Sequence, residues 1–122
     1  MSDLDGKISR VLSRLDAQSQ KERSGRQKIP HDKKMLAITA DTGEFFSILL
    51  RAIRAKRVLE VGTSVGYSTI WLADAVGKSG RVLTIEMDPS KIERAKVKFR
   101  HAGVEKRTTI QSFDFRTLKV VE

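Results

Sequence analysis

Apolar residues recur along the chain at two spacings, and these spacings predict helices that alternate with strands. An amphipathic helix from Asp3 to about Gln18 is indicated by a single apolar face, which consists of Leu4, Ile8, Val11, Leu12 and Leu15. The next segment, from Gln18 to Pro30, is polar, charged and contains glycine. It is typical of a mobile linker between this helix and the rest of the chain.

A second helix is predicted from about Asp41 to about Ala55. Its start is marked by an acid-x-x-Glu arrangement, Asp41 to Glu44, which precedes apolar residues. We expect its apolar side to face a sheet through Phe45, Leu49, Ala52 and Ile53.

Three short apolar runs predict parallel strands at Arg57–Val61, Arg81–Glu86 and Arg107–Gln111. A helix at Tyr67–Val76 separates the first two runs. The helix before the third begins at Asp88-Pro89, a suitable N-cap followed by a suitable first residue, and ends at Gly103. Its buried stripe is predicted to be Ile92, Ala95, Phe99 and Ala102. This alternation is typical of an α/β, Rossmann-like fold.

The turn after the first strand carries the most informative chemistry. The strand ends near Glu60, and Gly62 and Gly66 follow before the helix. Glycine lets a backbone approach a ligand closely, and the first turn of a helix offers free amides to a polar group. The dinucleotide fingerprint also requires glycine at positions 64 and 67, which are Ser64 and Tyr67, so it fails. The alternative is that both glycines serve the turn geometry alone.

The second strand also ends in an acid, Glu86. It follows Gly62 by close to the ~20 residues at which an acid meets ribose hydroxyls in Rossmann-type sites. Glu60 likewise stands at the carboxyl end of its strand, where open α/β sheets bind ligands.

The stretch AKRVLEVGTSVGYSTIWLADAV, followed by GRVLTIEMDPSKIERAK, resembles the cation-dependent O-methyltransferases of the caffeoyl-CoA and catechol type, in their short prokaryotic form. The resemblance runs from about Ile29 to about Arg107 and implies S-adenosylmethionine as cofactor. It implies that the methionine moiety lies against Glu60, Gly62, Thr63, Gly66 and Ser68. It also implies that Glu86 holds the ribose, and that Asp114 lies beside the adenine.

The sequence departs from the family pattern after its third strand. A glycine-acid-alanine turn is replaced by Phe113-Asp114-Phe115, whose rings can collide with adenine or stack on it. The family fold has the strand order 3-2-1-4-5-7-6, and only its first three strands are recognisable. The family's metal-binding acids lie beyond these strands, so no residue here can be matched to the ligands of a divalent cation. A cation such as magnesium is expected only in a complete enzyme. We therefore expect the N-terminal, cofactor-binding portion of such an enzyme.

This truncation has a consequence for assembly, because the first strand becomes an edge when the fourth is absent. Unpaired strand edges and apolar patches favour association with another chain. We expect a homo-oligomer in which the first strand, or the tail from Phe113 to Glu122, contributes to the interface. That tail fits either a short helix or an extended segment.

Composition adds limits to this picture. The 122 residues carry a net charge of +9 and contain no cysteine, which excludes disulfides and fits a cytoplasmic protein. No segment is predicted to cross a membrane. Basic residues cluster at Lys21–Lys34 and Lys91–Arg107; these are solvated faces or, alternatively, sites for nucleic acid or for an anionic cosubstrate such as a coenzyme A ester. His31 and His101 stand apart from other metal-ligating residues, so we predict no metal site and a surface position for both.

Three functional hypotheses remain open. The first is a portion of an O-methyltransferase that acts on a small-molecule hydroxyl acceptor. The second is a non-catalytic fragment that acts by self-association, and the third is a portion of an RNA methyltransferase. In each case we expect residues 1–30 to form a helix and basic linker, and residues 31–122 to form a partial cofactor-binding domain.

Overall fold

The computed structural model describes residues 6–25, 38–114 and 116. Helices and strands alternate within them, which confirms the α/β class. The elements in chain order are α1 (Gly6–Arg23), α2 (Ala40–Ala52), β1 (Arg57–Val61), α3 (Tyr67–Val76), β2 (Arg81–Glu86), α4 (Pro89–Ala102), a 3-10 turn (Glu105–Arg107) and β3 (Thr108–Ser112).

The three strands form one parallel sheet in the order β1-β2-β3. Glu60 of β1 lies opposite Thr84 of β2, and Thr84 lies opposite Ile110 of β3. Within the described part of the chain β1 is therefore an edge strand, as predicted. The strands run in the same direction, so Glu60 and Glu86 lie toward the same edge of the sheet, here named the carboxyl edge.

The predicted boundaries of α4 are confirmed by its caps. The Asp88 carboxylate accepts a hydrogen bond from the Ser90 amide at 2.9 Å, and Pro89 occupies the first turn. Gly103 ends the helix with φ 72°, a left-handed conformation that glycine adopts without steric cost. The buried residues of α4 are the predicted stripe of Ile92, Ala95, Phe99 and Ala102.

Helix α1 is longer than the apolar pattern predicts. The expected linker from Gln18 is wrong as far as Arg23, because the helix continues through these polar residues. Ser19 and Glu22 extend the buried stripe, and the Gln18 amide donates to the Glu22 carboxylate at 3.2 Å. A stripe that continues in polar residues is invisible to hydropathy. The apolar residues of α1 belong to the same core as those of α3 and α4.

Helix α2 exposes the face that was expected to contact the sheet. The prediction for Phe45, Leu49, Ala52 and Ile53 is wrong; Phe45 is 60% exposed and Ile53 is 65% exposed. Its start also differs, because Thr39 is the N-cap and accepts from the Thr42 amide at 3.3 Å. Asp41 lies inside the first turn, and the helix ends at Ala52 rather than Ala55.

Small residues explain why α2 is turned this way. Gly43 and Ser47 are its buried positions, and a Cβ on Gly43 would lie 2.5 Å from the Trp71 ring of α3. Beside this close contact, the Arg51 guanidinium donates to the Asp74 carboxylate at 2.7 Å. Large apolar side chains do not fit against α3 at this distance, and Phe45, Ile48 and Ile53 are exposed.

The two faces of the sheet differ in their cover. One face packs against the core, where Val82 of β2 meets buried residues of α3 and α4. The other, which we call the open face, consists of Leu59, Val61 and Leu83, which are 62%, 65% and 41% exposed. Parallel sheets are normally covered on both faces. No helix of the described residues is long and apolar enough to span a bilayer.

Candidate functional site

The Glu60 carboxylate organises the end of β1 through hydroxyl groups. Its Oε2 accepts from Ser68 Oγ at 2.5 Å, and its Oε1 accepts from Thr84 Oγ1 at 2.8 Å and from Thr69 Oγ1. Ser68 and Thr69 come from the first turn of α3, while Thr84 comes from β2. Glu60 therefore connects three elements at the carboxyl edge.

A second hydroxyl extends this network into the core. Thr63 Oγ1 lies 2.6 Å from Thr84 Oγ1, and both residues are fully buried. A hydroxyl carries one hydrogen, and that of Thr84 is donated to Glu60. Thr63 is consequently the donor to Thr84. Its amide is also engaged, with the Ile85 carbonyl at 3.1 Å, so Thr63 supports the site from within.

The two glycines of the turn after β1 have different surroundings. Both have φ 92°, and Ser64 between them has φ 51°. A Cβ added to Gly66 would lie 2.7 Å from the Phe99 ring, whereas one added to Gly62 would meet nothing within 4 Å. Gly66 is therefore required by packing as well as by conformation. Gly62 leaves open space beside the backbone at the carboxyl edge, where a ligand can approach.

Glu86 joins the turn after β1 to the turn after β2. Its Oε1 accepts from the Ser64 amide at 2.7 Å, and its Oε2 accepts from the amides of Met87 and Asp88 at 2.9 and 3.0 Å. The residue is 8% exposed. A carboxylate has about four acceptor positions, so these bonds leave about one for a further donor.

A cleft of about 470 Å³ lies between α2 and β1. Its polar lining includes Glu60, Gly62 and Ser68, and apolar side chains supply most of its wall. The apolar residues are Ile38, Phe46, Leu49, Leu50, Val58, Leu59, Val61 and Leu72. A few polar groups in an apolar wall are typical of small-molecule sites.

Asp114 follows β3 at the same edge, beside Glu86. The preceding amide, that of Phe113, donates to the Glu86 carbonyl at 3.1 Å. The Asp114 carboxylate is held by the Arg116 guanidinium at 2.8 Å, and hydrogen bonds from Arg116 lower the pKa of Asp114 to about 2. Asp114 is thus placed near the site but bonded to Arg116, and Phe115 lies outside the described residues.

The predicted residues fall into two groups. Glu60, Gly62, Ser68 and Glu86 lie together at the carboxyl edge, with Asp114 after the next strand. Thr63 and Gly66 are buried behind them.

Sequence reasoning missed the residues that orient the two acids. These are Ser64, Thr69 and Thr84. One signal was available for Thr84, because it is the fourth residue of its strand, as Glu60 is of β1, and the parallel register brings them together.

No group of three or more histidine, aspartate or glutamate side chains that could hold a metal ion occurs in the residues described. His101 is exposed on α4, and His31 lies outside those residues. Residues 6–25, 38–114 and 116 therefore provide no ligand set on which the divalent cation of the resemblance can be placed.

The chain is similar to curated and structurally characterised proteins. It is 47% identical over 75 residues to a catechol O-methyltransferase of Mycobacterium tuberculosis. The aligned residues cover 62% of this chain and 34% of that protein. The O-methyltransferase TomG from Streptomyces achromogenes, solved in complex with SAM, has a TM-score of 0.66 at 36% identity, over 82% of this chain and 41% of that one. An O-methyltransferase from Bacillus cereus, in complex with SAH, has a TM-score of 0.65 at 26% identity, over 88% and 43%.

The chain thus spans about a third of the length of the curated relatives that it matches. The family model for O-methyltransferases matches residues 15–122. The match includes both strand-end acids and the glycine turn between them. The chain belongs to the O-methyltransferase family.

Proposed function

We propose that the chain binds S-adenosylmethionine at the carboxyl edge and serves methyl transfer to the hydroxyl of a small acceptor. The proposal depends on one observation above the others. Glu60 and Glu86 end adjacent strands on either side of Gly62, whose backbone faces open space. Relatives solved with SAM or SAH share this fold, which supports the choice of ligand.

Each residue of the site has a separate task in this proposal. Glu86 offers its remaining acceptor position to the ribose hydroxyls, and its bonds to three amides keep the carboxylate in place. Gly62 allows the methionine end of the cofactor to approach the backbone. Glu60 and Ser68 line the cleft beside Gly62 and hold the first turn of α3 in position.

When bound, S-adenosylmethionine would supply its sulfonium methyl group: the carbon–sulfur bond would break as the carbon–oxygen bond to the acceptor forms, with S-adenosylhomocysteine as the leaving group and loss of the acceptor's hydroxyl proton. The chain's own contribution would be to orient the cofactor and to shield it within the apolar cleft. In the part of the chain that the structure describes, no metal-ligand set is found for the divalent cation expected from the resemblance, and no residue is assigned to the acceptor. Methyl transfer to a catechol in the presence of magnesium is therefore proposed for the whole protein.

Calorimetric titration with S-adenosylhomocysteine tests the cofactor site. We expect Glu86→Ala to weaken binding by about 1.5–3 kcal/mol, because the ribose loses an acceptor that is charged. Glu93→Ala is the matched control, since Glu93 is an exposed acid on α4. Unchanged affinity in a folded Glu86 variant would remove this residue from the site.

A second function, self-association, is supported by the edge strand and the open face. Leu59 and Val61 are exposed on β1, which pairs only with β2 among the residues described. On α2, the exposed Phe46 and Leu49 line the same cleft as Leu59 and Val61 and add to this part of the surface. We propose that a second copy of the chain covers this region and forms a homo-oligomer.

Sedimentation equilibrium over a range of concentrations tests the association. We expect Leu59→Asp combined with Val61→Asp to give a monomer. Ser13→Asp combined with Ala17→Asp is the control, since it adds the same charge to exposed positions of α1, away from the open face. A wild-type chain that is monomeric at every concentration would contradict the proposal.

The remaining predictions from the sequence concern location, partners and division of the chain. A cytoplasmic location is proposed together with the enzyme assignment. An RNA acceptor is the alternative to a small molecule, and the basic clusters are what supports it. The division at residue 30 stays a prediction, because residues 26–37 lie outside those described.

A further inference from the structure

The edge of the sheet opposite the carboxyl edge carries a row of arginines. Arg57 is the first residue of β1 and lies opposite Arg81, the first residue of β2. Arg107 is the last residue of the 3-10 turn before β3, and because the first residue of β3, Thr108, lies opposite Val82, Arg107 lies at the level of Arg81. Strands lie about 4.8 Å apart, so the three arginine backbones span about 10 Å. We call this the amino edge.

A basic pocket of about 360 Å³ opens at the amino edge. It is lined by Lys78, Arg81, Lys106 and Arg107, together with Gly103 at the end of α4. All of its charged side chains are positive. A pocket of this composition attracts a multiply charged anion, because each cation lowers the energy of a negative charge placed among them.

The two guanidinium groups of the pocket are oriented by carbonyl oxygens. Arg81 donates to the Gly80 carbonyl at 2.7 Å, and Arg107 donates to the Ala73 carbonyl at 3.0 Å. These neutral acceptors fix the groups without cancelling their charge. Each guanidinium has five donors, so further N–H groups are available to an anion.

Acidic side chains do not neutralise the pocket. None of its four cations forms an ion pair with an acid in the part of the chain that the structure describes. Glu105, which precedes Lys106, lines a different groove with Lys96 and Phe99. Asp74, at the end of α3, is already paired with Arg51 at 2.7 Å.

We propose that this basic pocket binds a chain of two or three phosphates, either free or as part of a nucleotide. Guanidinium and ammonium groups are positively charged hydrogen-bond donors, and phosphate oxygens are negatively charged acceptors. The volume suits a short phosphate chain, and no aromatic side chain lines the pocket to stack nucleic-acid bases. A five-residue strand extends about 16 Å, so this site is separate from the carboxyl edge.

Calorimetric titration with sodium tripolyphosphate tests the proposal, with the wild-type chain at low and moderate salt. We expect Lys78→Ala combined with Lys106→Ala to weaken binding by about tenfold or more, because two charge-assisted contacts are lost. The control is Lys91→Ala combined with Lys96→Ala, which removes the same charge from α4 and leaves affinity within about twofold. Equal losses in the two double variants would overturn the proposal, since general charge would then explain the binding.

Two further ligands identify the source of the phosphates. ATP should bind at least as tightly as tripolyphosphate and show the same loss in the Lys78/Lys106 variant, if the phosphate chain is what the pocket recognises. The alternative outcome is that single-stranded RNA binds more than about tenfold tighter than tripolyphosphate, with equal losses of affinity in both variants. The basic residues would then belong to an extended nucleic-acid-binding surface. That result would overturn the pocket as a phosphate-chain site.

Discussion

The turn after β1 and the turn after β2 look alike in sequence and are built in different ways. Each follows an apolar strand that carries an acid at its carboxyl end, and each leads into a helix. In the first turn Glu60 is surrounded by the hydroxyls of Ser68, Thr69 and Thr84. In the second turn Glu86 is surrounded by backbone amides. The same residue type thus orders side chains at one strand end and main chain at the other.

The two acids therefore differ in their hydrogen-bond partners: those of Glu60 are adaptable and those of Glu86 are fixed. A hydroxyl can rotate to donate or to accept, whereas a backbone N–H can only donate. The first turn is correspondingly shaped by glycines, and its helix has no side-chain N-cap. The second turn has the Asp88 cap and Pro89. Glu86 connects the two turns through Ser64, so the geometry of the first depends on the acid of the second.

The largest effect is expected at the glycines of the first turn. Gly66→Ala should lower the free energy of unfolding by about 2–4 kcal/mol, because its Cβ meets Phe99 and its backbone is left-handed. Gly62→Ala has the same φ and no neighbour, so we expect about 1–2 kcal/mol. Urea unfolding of both variants measures the difference. Equal losses would show that packing against Phe99 does not distinguish the two positions.

The two acids can be compared by isosteric amide substitution. Glu86→Gln places an NH₂ donor against a backbone N–H, which can donate but cannot accept a hydrogen bond. We therefore expect a loss of about 1–3 kcal/mol in the free energy of unfolding. Glu60→Gln should cost less than about 1 kcal/mol, because Ser68 can rotate and accept from the new NH₂ group. The same urea experiment gives both values. A larger loss for Glu60→Gln would reverse the assignment of adaptable and fixed partners.

The smallest effect concerns the cap of the second turn. Hydrogen bonds from the Ser90 hydroxyl and amide lower the pKa of Asp88. A lowered folded-state pKa stabilises the protein above the unfolded pKa of about 3.9, and this contribution is lost as pH falls through the folded value. Ser90→Ala should move the pKa of Asp88 back toward its ordinary value, as measured by NMR titration. Asp114 is the control, and its pKa should stay at about 2. An unchanged Asp88 would show that the Ser90 hydroxyl does not hold its carboxylate.

Where single residues mark the ends of a helix, the sequence predicted the helix correctly. Asp88, Pro89 and Gly103 mark the ends of α4 because caps act within one turn. The orientation of α2 could not be predicted in this way, since it depends on the fit of Gly43 against Trp71, a contact between distant parts of the sequence. Large apolar residues were expected inside, whereas this close contact requires the small side of the helix.

The candidate site was predictable to a similar extent. Strand-end acids and glycines carry recognisable spacings, so Glu60, Gly62 and Glu86 could be named as candidates. Two of the hydrogen-bond partners could not, because Thr69 and Thr84 reach Glu60 only when α3 packs on the sheet. The burial of Thr63 likewise follows from its contact with Thr84 rather than from its position in the motif.

The central claim is that the cofactor binds at the carboxyl edge, between the two turns. Titration of the isotope-labelled chain with S-adenosylhomocysteine, followed by amide NMR, tests it most directly. We predict that the amide resonances of Gly62, Ser64 and Met87 shift, while the resonances of Arg81 and Lys106 at the amino edge are unchanged. Shifts confined to the amino edge, or none at saturating ligand, would contradict this account.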